Sequence, residues 1–184
     1  MDTIAEAIRR AKMGDDAAFA EFVQRTIDGS YRFARSLGAG PEDAEDAVQD
    51  AYVRAWRALG RFDEAKSVTP WLYQIVKRSL FNLYRKNRRE VMSLDDSNDA
   101  DYALALTDPE PLPDAIFERE ESRALVRGAL AELPARDQTV LALRYDEGFS
   151  FEEIALTLEI PAATVRSIHH RALTKLHERL ARLL

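Results

Sequence analysis

Apolar positions recur at helical spacing through two long stretches of this chain, with one stretch between them where no period survives. Within residues 3–27, Ile4, Ile8 and Ala11, and then Phe19, Phe22 and Val23, fall on buried stripes, and Gly14 predicts a break between the two groups. "LGAG" at 37–40 ends a second, short helical stretch, and Pro41 suits the first position of the helix that follows. That helix reaches about Leu59 and turns Ala44, Val48, Ala51, Tyr52, Ala55 and Leu59 inward. The next is expected to start at Thr69-Pro70, an N-cap followed by proline, and to run to about Arg89. Its inward positions are Trp71, Leu72, Ile75, Val76, Leu80 and Leu83.

The helical period returns near Ile116 with a connecting helix, and another helix follows "LPARDQ", with Pro134 at its first position. Ser150 and Glu153, three residues apart, form the sequence signature of a capping box. Beyond them Ile154, Ala155 and Leu158 face inward, "LEIP" turns the chain, and Pro161 opens a last helix. About 20 residues separate Ser150 from the middle of that helix, the compact spacing of a helix-turn-helix. With few β-branched alternations anywhere, the pattern predicts an all-α fold: a helical block at 1–90, a linker at 91–115 and a second helical block at 116–184.

Charge makes the second block a puzzle. A helix-turn-helix suggests DNA, a polyanion, yet the 184 residues carry net charge −6 and a pI near 5.2. The excess is local. Residues 91–121 hold one basic residue, Arg119, against ten acids, while the segments on either side are close to neutral. This acidic segment has Pro109, Pro111 and Pro113 and no sustained period, so it reads as an extended tether. Such a tether is expected to be a solvated spacer; the alternative reading is that its negative charge occupies a basic channel of a partner and shields the chain's own basic faces from free DNA. There is no cysteine, which excludes disulfides and thiolate metal sites. No apolar run approaches the roughly 18 residues of a membrane span, and charges interrupt the N-terminus as they would not in a secretory signal. A cytoplasmic protein without membrane insertion is expected, with no domain appended after Leu184. His169, His170 and His177 lack a metal-binding pattern, and no phosphate-cradling glycine loop or catalytic constellation is present, so neither cofactor nor metal is expected and the protein is read as a non-enzyme.

Three motifs carry a resemblance. "GFSFEEIALTLEIPAATVRSIHHRALTKL" resembles the −35-reading region of bacterial sigma factors. "GPEDAEDAVQDAYVRAWRALGRFD" is an amphipathic helix with an acidic outer face, and its "DAED-VQ-…-RAW" pattern resembles the polymerase-gripping helix of extracytoplasmic-function (ECF) sigma factors. "TPWLYQIVKRSLFNLYRKNRR" has no acid from Lys77 to Arg89 and is similar to that family's −10-capturing helix. The three occur in the family's order and span nearly the whole chain.

The resemblance implies a σ2-like bundle, a linker and a σ4-like helix-turn-helix domain, working as a dissociable initiation subunit. Asp43, Glu45, Asp46, Gln49, Asp50 and Arg54 would meet the β′ clamp coiled coil of core RNA polymerase, with further contacts to its β subunit. Lys66, Ser67, Trp71, Lys77, Arg78, Asn82, Tyr84, Arg85 and Lys86 would meet melted −10 DNA. Thr164, Arg166, Ser167, His170 and Arg171 would face the −35 duplex. An anti-sigma factor is the further implied partner. Departures from the family pattern bear on promoter preference: Lys77-Arg78 for Arg-Asn, Asn82 for Asp, Glu159 where the turn usually has glycine, and Ile168-His169 for Arg-Leu. Ile168 either packs inward or offers an apolar contact to a thymine methyl. Two other readings use the same residues. A stand-alone helix-turn-helix regulator would leave the acidic helix unexplained, and a sigma-like decoy that binds only an anti-sigma protein would be expected to have lost "DAED".

Overall fold

The computed structural model describes residues 3–92 and 125–183, so most of the acidic linker and the start of the connecting helix expected near Ile116 lie outside the described residues. Within them every regular element is helical. Helix α1, Ile4–Lys12, is capped by Thr3, whose hydroxyl accepts from the Glu6 amide, and Gly14 makes the break that follows with φ +95°. Helix α2, Asp16–Ser36, is capped by the Asp15 carboxylate, which accepts from the Ala18 amide at 3.0 Å.

Helix α2 runs unbroken through Asp28-Gly29-Ser30, which corrects the sequence reading of two separate helical stretches here. The reason is tertiary. A side chain on Gly29 would place its Cβ 2.5 Å from the Tyr73 hydroxyl, so glycine serves close approach to another helix and not a turn. Thr26 and Ser30 on the same helix hydrogen-bond the buried Tyr52 hydroxyl at 2.8 and 3.2 Å.

Helix α3, Pro41–Ala58, starts at the expected proline and passes into a single 3-10 turn, Leu59–Arg61. Helix α4, Val68–Met92, begins one residue before Thr69, which moves Pro70 from the first helical position to the third. Proline is still tolerated there, because first-turn amides have no intrahelical partner to lose. Residues 125–131 form α5; α6 spans Ala135–Tyr145 with Pro134 as its N-cap, one position outside the helix it was expected to open. Helices α7, Phe151–Leu158, and α8, Ala162–Leu183, form the helix-turn-helix, with Pro161 just before the second.

One buried cluster runs through both helical blocks. From the first come Ala44, Ala47, Ala51 and Ala55, small residues that let helices approach closely, around Phe22, Leu72 and Val76; from the second come Val140, Leu143, Phe149, Ile154, Val165 and Ile168. Burying a side chain such as Phe22 or Leu72 contributes about 1.5–3 kcal/mol relative to exposure. At the junction, Tyr73 stacks on Phe33 at 4.5 Å, while Thr139 of α6 donates to the Ser36 carbonyl at 2.8 Å. Helix α7 thereby lies along α4, and α6 along α2. Leu133, Leu141 and Ala172 form a smaller second cluster.

Candidate polymerase and nucleic-acid interfaces

Helix α3 separates its residues by period. Ala44, Ala47, Val48, Ala51, Tyr52 and Ala55 are buried, which leaves Glu45, Asp46, Gln49, Val53 and Arg54 exposed on the opposite side. Glu42 and Asp43 sit in the first turn, where the helix dipole favours acids, but Glu45, Asp46 and Asp50 continue past it. Asp43 and Asp50 are half-buried, and Asp50 pairs with Arg54 four residues on. The six residues expected to meet polymerase therefore share one flank. Beside them a cleft of about 270 Å³ is lined by Asp46, Asp50, Arg54, Ser79, Asn82 and Lys86. The Ser79 hydroxyl there is buried and has no hydrogen-bond partner among the described residues.

Helix α4 divides the expected −10 residues between two surroundings. Trp71, Gln74, Arg78, Asn82 and Arg85 recur at spacings of three and four and so share a stripe. Trp71 is held against Phe62, with ring centroids 4.6 Å apart. Lys66 and Arg85 are exposed, and Tyr84 packs partly buried against the core. Asn82 and Lys86 line the α3 cleft. Ser67, Lys77 and Arg78 instead meet the helix-turn-helix. Ser67 donates to the Glu153 carboxylate at 2.6 Å, Lys77 donates to the Leu158 carbonyl at 2.7 Å and to Glu159 at 3.0 Å, and Arg78 donates to Glu159 at 2.5 Å. Gln74, which sequence reasoning did not single out, joins them by donating to the Leu156 carbonyl at 2.7 Å. Its place on the Trp71–Arg85 stripe was the available signal.

The helix-turn-helix is built as its sequence indicates. Ser150 Oγ accepts from the Glu153 amide at 3.1 Å, and the Glu153 carboxylate accepts from the Ser150 amide at 2.9 Å. Glu159 ends α7 in the left-handed region, φ 57° and ψ 44°, the only non-glycine residue with positive φ among those described. Ile168 is 1 % exposed beside Val165 in the core, so it packs inward and is not available to a thymine methyl. His169 is half-buried between Tyr145 and Phe151; burial, then the charges of Arg144 and His170, hold its pKa below the usual histidine value. Arg166, Ser167, His170 and Arg171 are exposed together, with Thr164 half-buried at their edge. Arg166 pairs with Glu152 and lies over the Phe151 ring at 5.7 Å; Ser167 donates to the Ala163 carbonyl at 3.0 Å. Among the described residues no cluster of three or more His, Asp or Glu could hold a metal ion, and no helix is long and apolar enough to cross a membrane.

Comparison with known proteins places this geometry. The sigma-70 region 2 family matches residues 22–90, and the sigma-70 region 4 family matches residues 129–178. The chain is 33 % identical over 177 residues, 95 % of its length and 93 % of the relative's, to RNA polymerase sigma factor NccH of Alcaligenes xylosoxydans xylosoxydans. It is 28 % identical over 181 residues, 96 % of each chain, to the ECF RNA polymerase sigma factor SigW of Bacillus subtilis (strain 168). Among solved structures it resembles CnrH in complex with the cytosolic domain of CnrY (TM-score 0.63, 26 % identity, 97 % of each chain). It resembles equally the sigma factor RpoE in complex with the anti-sigma factor NepR from Bartonella quintana (TM-score 0.63, 26 % identity, 89 % of this chain and 96 % of that one). The chain belongs to the ECF sigma factors, with a σ2 domain up to α4 and a σ4 domain carrying the helix-turn-helix.

Proposed function

We propose that this sigma factor docks on core RNA polymerase through the exposed flank of α3, reads −35 duplex with α8 and holds melted −10 strand against α4. The observation that carries this reading is the segregation on α3. One face of the helix, Ala44, Ala47, Val48, Ala51, Tyr52 and Ala55, is buried in the core, and the acids of its other flank extend beyond the turn where the helix dipole would account for them. Complementary charge of this kind fixes register and speeds encounter more than it adds affinity. On α8, Arg166, Ser167, His170 and Arg171 supply donors for base edges and phosphates, and on α4 Lys77, Arg78, Arg85 and Lys86 supply cations beside Trp71 and Tyr84. Nucleotide addition belongs to the core enzyme. An acidic chain serves this role because the polymerase contributes much of the affinity for DNA.

An anti-sigma factor is the second partner. Both solved relatives were captured with another protein, CnrY in one case and the anti-sigma factor NepR in the other. A groove of about 350 Å³ between α5, α6 and α8, walled by Val126, Leu130, Leu141, Tyr145, Leu173 and Leu176, offers apolar side chains of such a partner a place to pack.

Holoenzyme reconstituted from bacterial core polymerase and this chain, run on sheared genomic DNA of the source organism, tests the reading through the 5′ ends of its transcripts. Starts sharing a −35 and a −10 element, lost in an Arg166→Ala/Arg171→Ala variant, are expected. The same starts with core enzyme alone would overturn it.

A further inference from the structure

We propose that Glu159 occupies the phosphate site of the −10 strand, so that the unbound sigma factor holds its own −10 surface closed with an internal anion. This rests on the reading of α4 given above, and three independent observations on the chain carry it.

The first is the backbone. Glu159 takes a left-handed conformation that glycine adopts without strain and a side chain disfavours. Strain of this kind at a non-glycine residue points to a role for its side chain. The second is where the carboxylate lies: 3.0 Å from Lys77 Nζ and 2.5 Å from the Arg78 guanidinium, two adjacent cations of the surface expected to meet the strand. The Lys77 side chain is only 15 % exposed, which holds its ammonium at this contact. The third is the chemistry around it. Lys77 also binds the Leu158 carbonyl and Gln74 the Leu156 carbonyl, at the C-terminal end of α7, where the helix dipole is negative. One carboxylate and two carbonyls thus present to α4 the acceptor oxygens that a nucleic-acid backbone would present.

The same donors cannot serve both ligands. Binding of single-stranded DNA to Lys77 and Arg78 must displace Glu159, and with it the end of α7 from α4. The closed form then lowers apparent affinity for DNA in proportion to its population. Docking on polymerase, or any partner that separates α7 from α4, uncovers the site. The acidic linker is not needed for this shielding; Glu159 is within the described fold and already in contact.

The test uses the full chain and a fluorescent single-stranded oligodeoxynucleotide of mixed sequence, about 12 nucleotides long. Because the chain has no cysteine, Ala17→Cys and Ala181→Cys accept a donor–acceptor dye pair that reports the separation of the two domains. Glu159→Gln keeps the side chain's length and its backbone geometry while removing the charge, and Glu159→Lys reverses it. Affinity for the oligonucleotide is expected to rise roughly tenfold in Glu159→Gln and further in Glu159→Lys, with the dyes moving apart in the second. Adding Lys77→Glu/Arg78→Glu to Glu159→Gln is expected to remove the gain. Unchanged affinity in both Glu159 variants, with binding still lost in the Lys77→Glu/Arg78→Glu chain, would overturn the internal anion and leave the −10 surface standing. Binding insensitive to Lys77→Glu/Arg78→Glu would overturn the −10 surface itself, and the proposal with it.

Discussion

Tyr73 of α4 and Phe149 of the segment before α7 meet with ring centroids 5.6 Å apart, and through this contact the σ2 and σ4 domains share one core. Tyr73 is 1 % exposed, and burial, with the Glu147 carboxylate beside it, pushes its phenol well above the usual tyrosine range. Phe149→Ala is expected to lower stability by about 3 kcal/mol, because the cavity opens at the centre of the junction. Urea unfolding followed by tyrosine fluorescence and by far-ultraviolet circular dichroism checks this. Loss of the aromatic should also separate the two transitions, as the domains cease to unfold together.

The left-handed geometry of Glu159 makes a separate prediction about stability. Glu159→Gly and Glu159→Ala both remove the contacts to Lys77 and Arg78, so their difference isolates the backbone. The glycine variant should be the more stable by about 1 kcal/mol, since alanine keeps a Cβ that the left-handed region disfavours. Thermal unfolding of the two variants side by side reads this directly, and equal stability would mean that the turn relaxes out of that conformation.

Ser150→Ala removes one half of the capping box at the start of α7 and should cost about 1 kcal/mol. The Ser150 hydroxyl, in addition to accepting from the Glu153 amide, donates to the Glu153 carboxylate at 2.9 Å. The variant should therefore also loosen the contact between Glu153 and Ser67, visible as faster amide exchange in the first turn of α7.

Acid should open the contact between the domains. Hydrogen bonds from Arg78 and Lys77 hold the Glu159 carboxyl below the usual glutamate range, and hydrogen bonds from Ser67 and Ser150 do the same for Glu153, with burial opposing in each case. A carboxylate depressed in the folded state contributes stability above its unfolded value, and that contribution is lost as pH falls through the folded value. The dye pair should therefore report separation as pH drops below the ordinary glutamate range, and Glu159→Gln should reduce the pH-dependent part. Separation on raising the pH through neutrality would have the wrong sign.

Much of this molecule could be read from its residues because the determinants are local. Pro41, the Ser150–Glu153 pair and the apolar periods of α3 and α4 mark their elements within a few positions of where they act. The failures have distant causes. The separate helical stretches read over 3–27 and up to 37–40 are one helix because Gly29 gives its space to Tyr73, 44 residues further on. Glu159 could be flagged as unusual in its turn, but its partners lie 81 and 82 residues away, beyond any helical spacing. The sequence leaves Ile168 either inward or toward a thymine methyl, and only packing against the rest of the core assigns it inward.

Docking of this chain on polymerase is tested most directly by titrating labelled protein into bacterial core enzyme, beside a Glu45→Lys/Asp46→Arg variant. Both substituted side chains are exposed on the surface of α3, so the variant should fold as the parent does. Saturable binding by the parent, weakened at least a hundredfold in the variant, is the predicted result, equivalent to about 2.7 kcal/mol. Equal binding by the two chains would contradict docking through α3, and no binding by the parent would contradict a sigma factor's role.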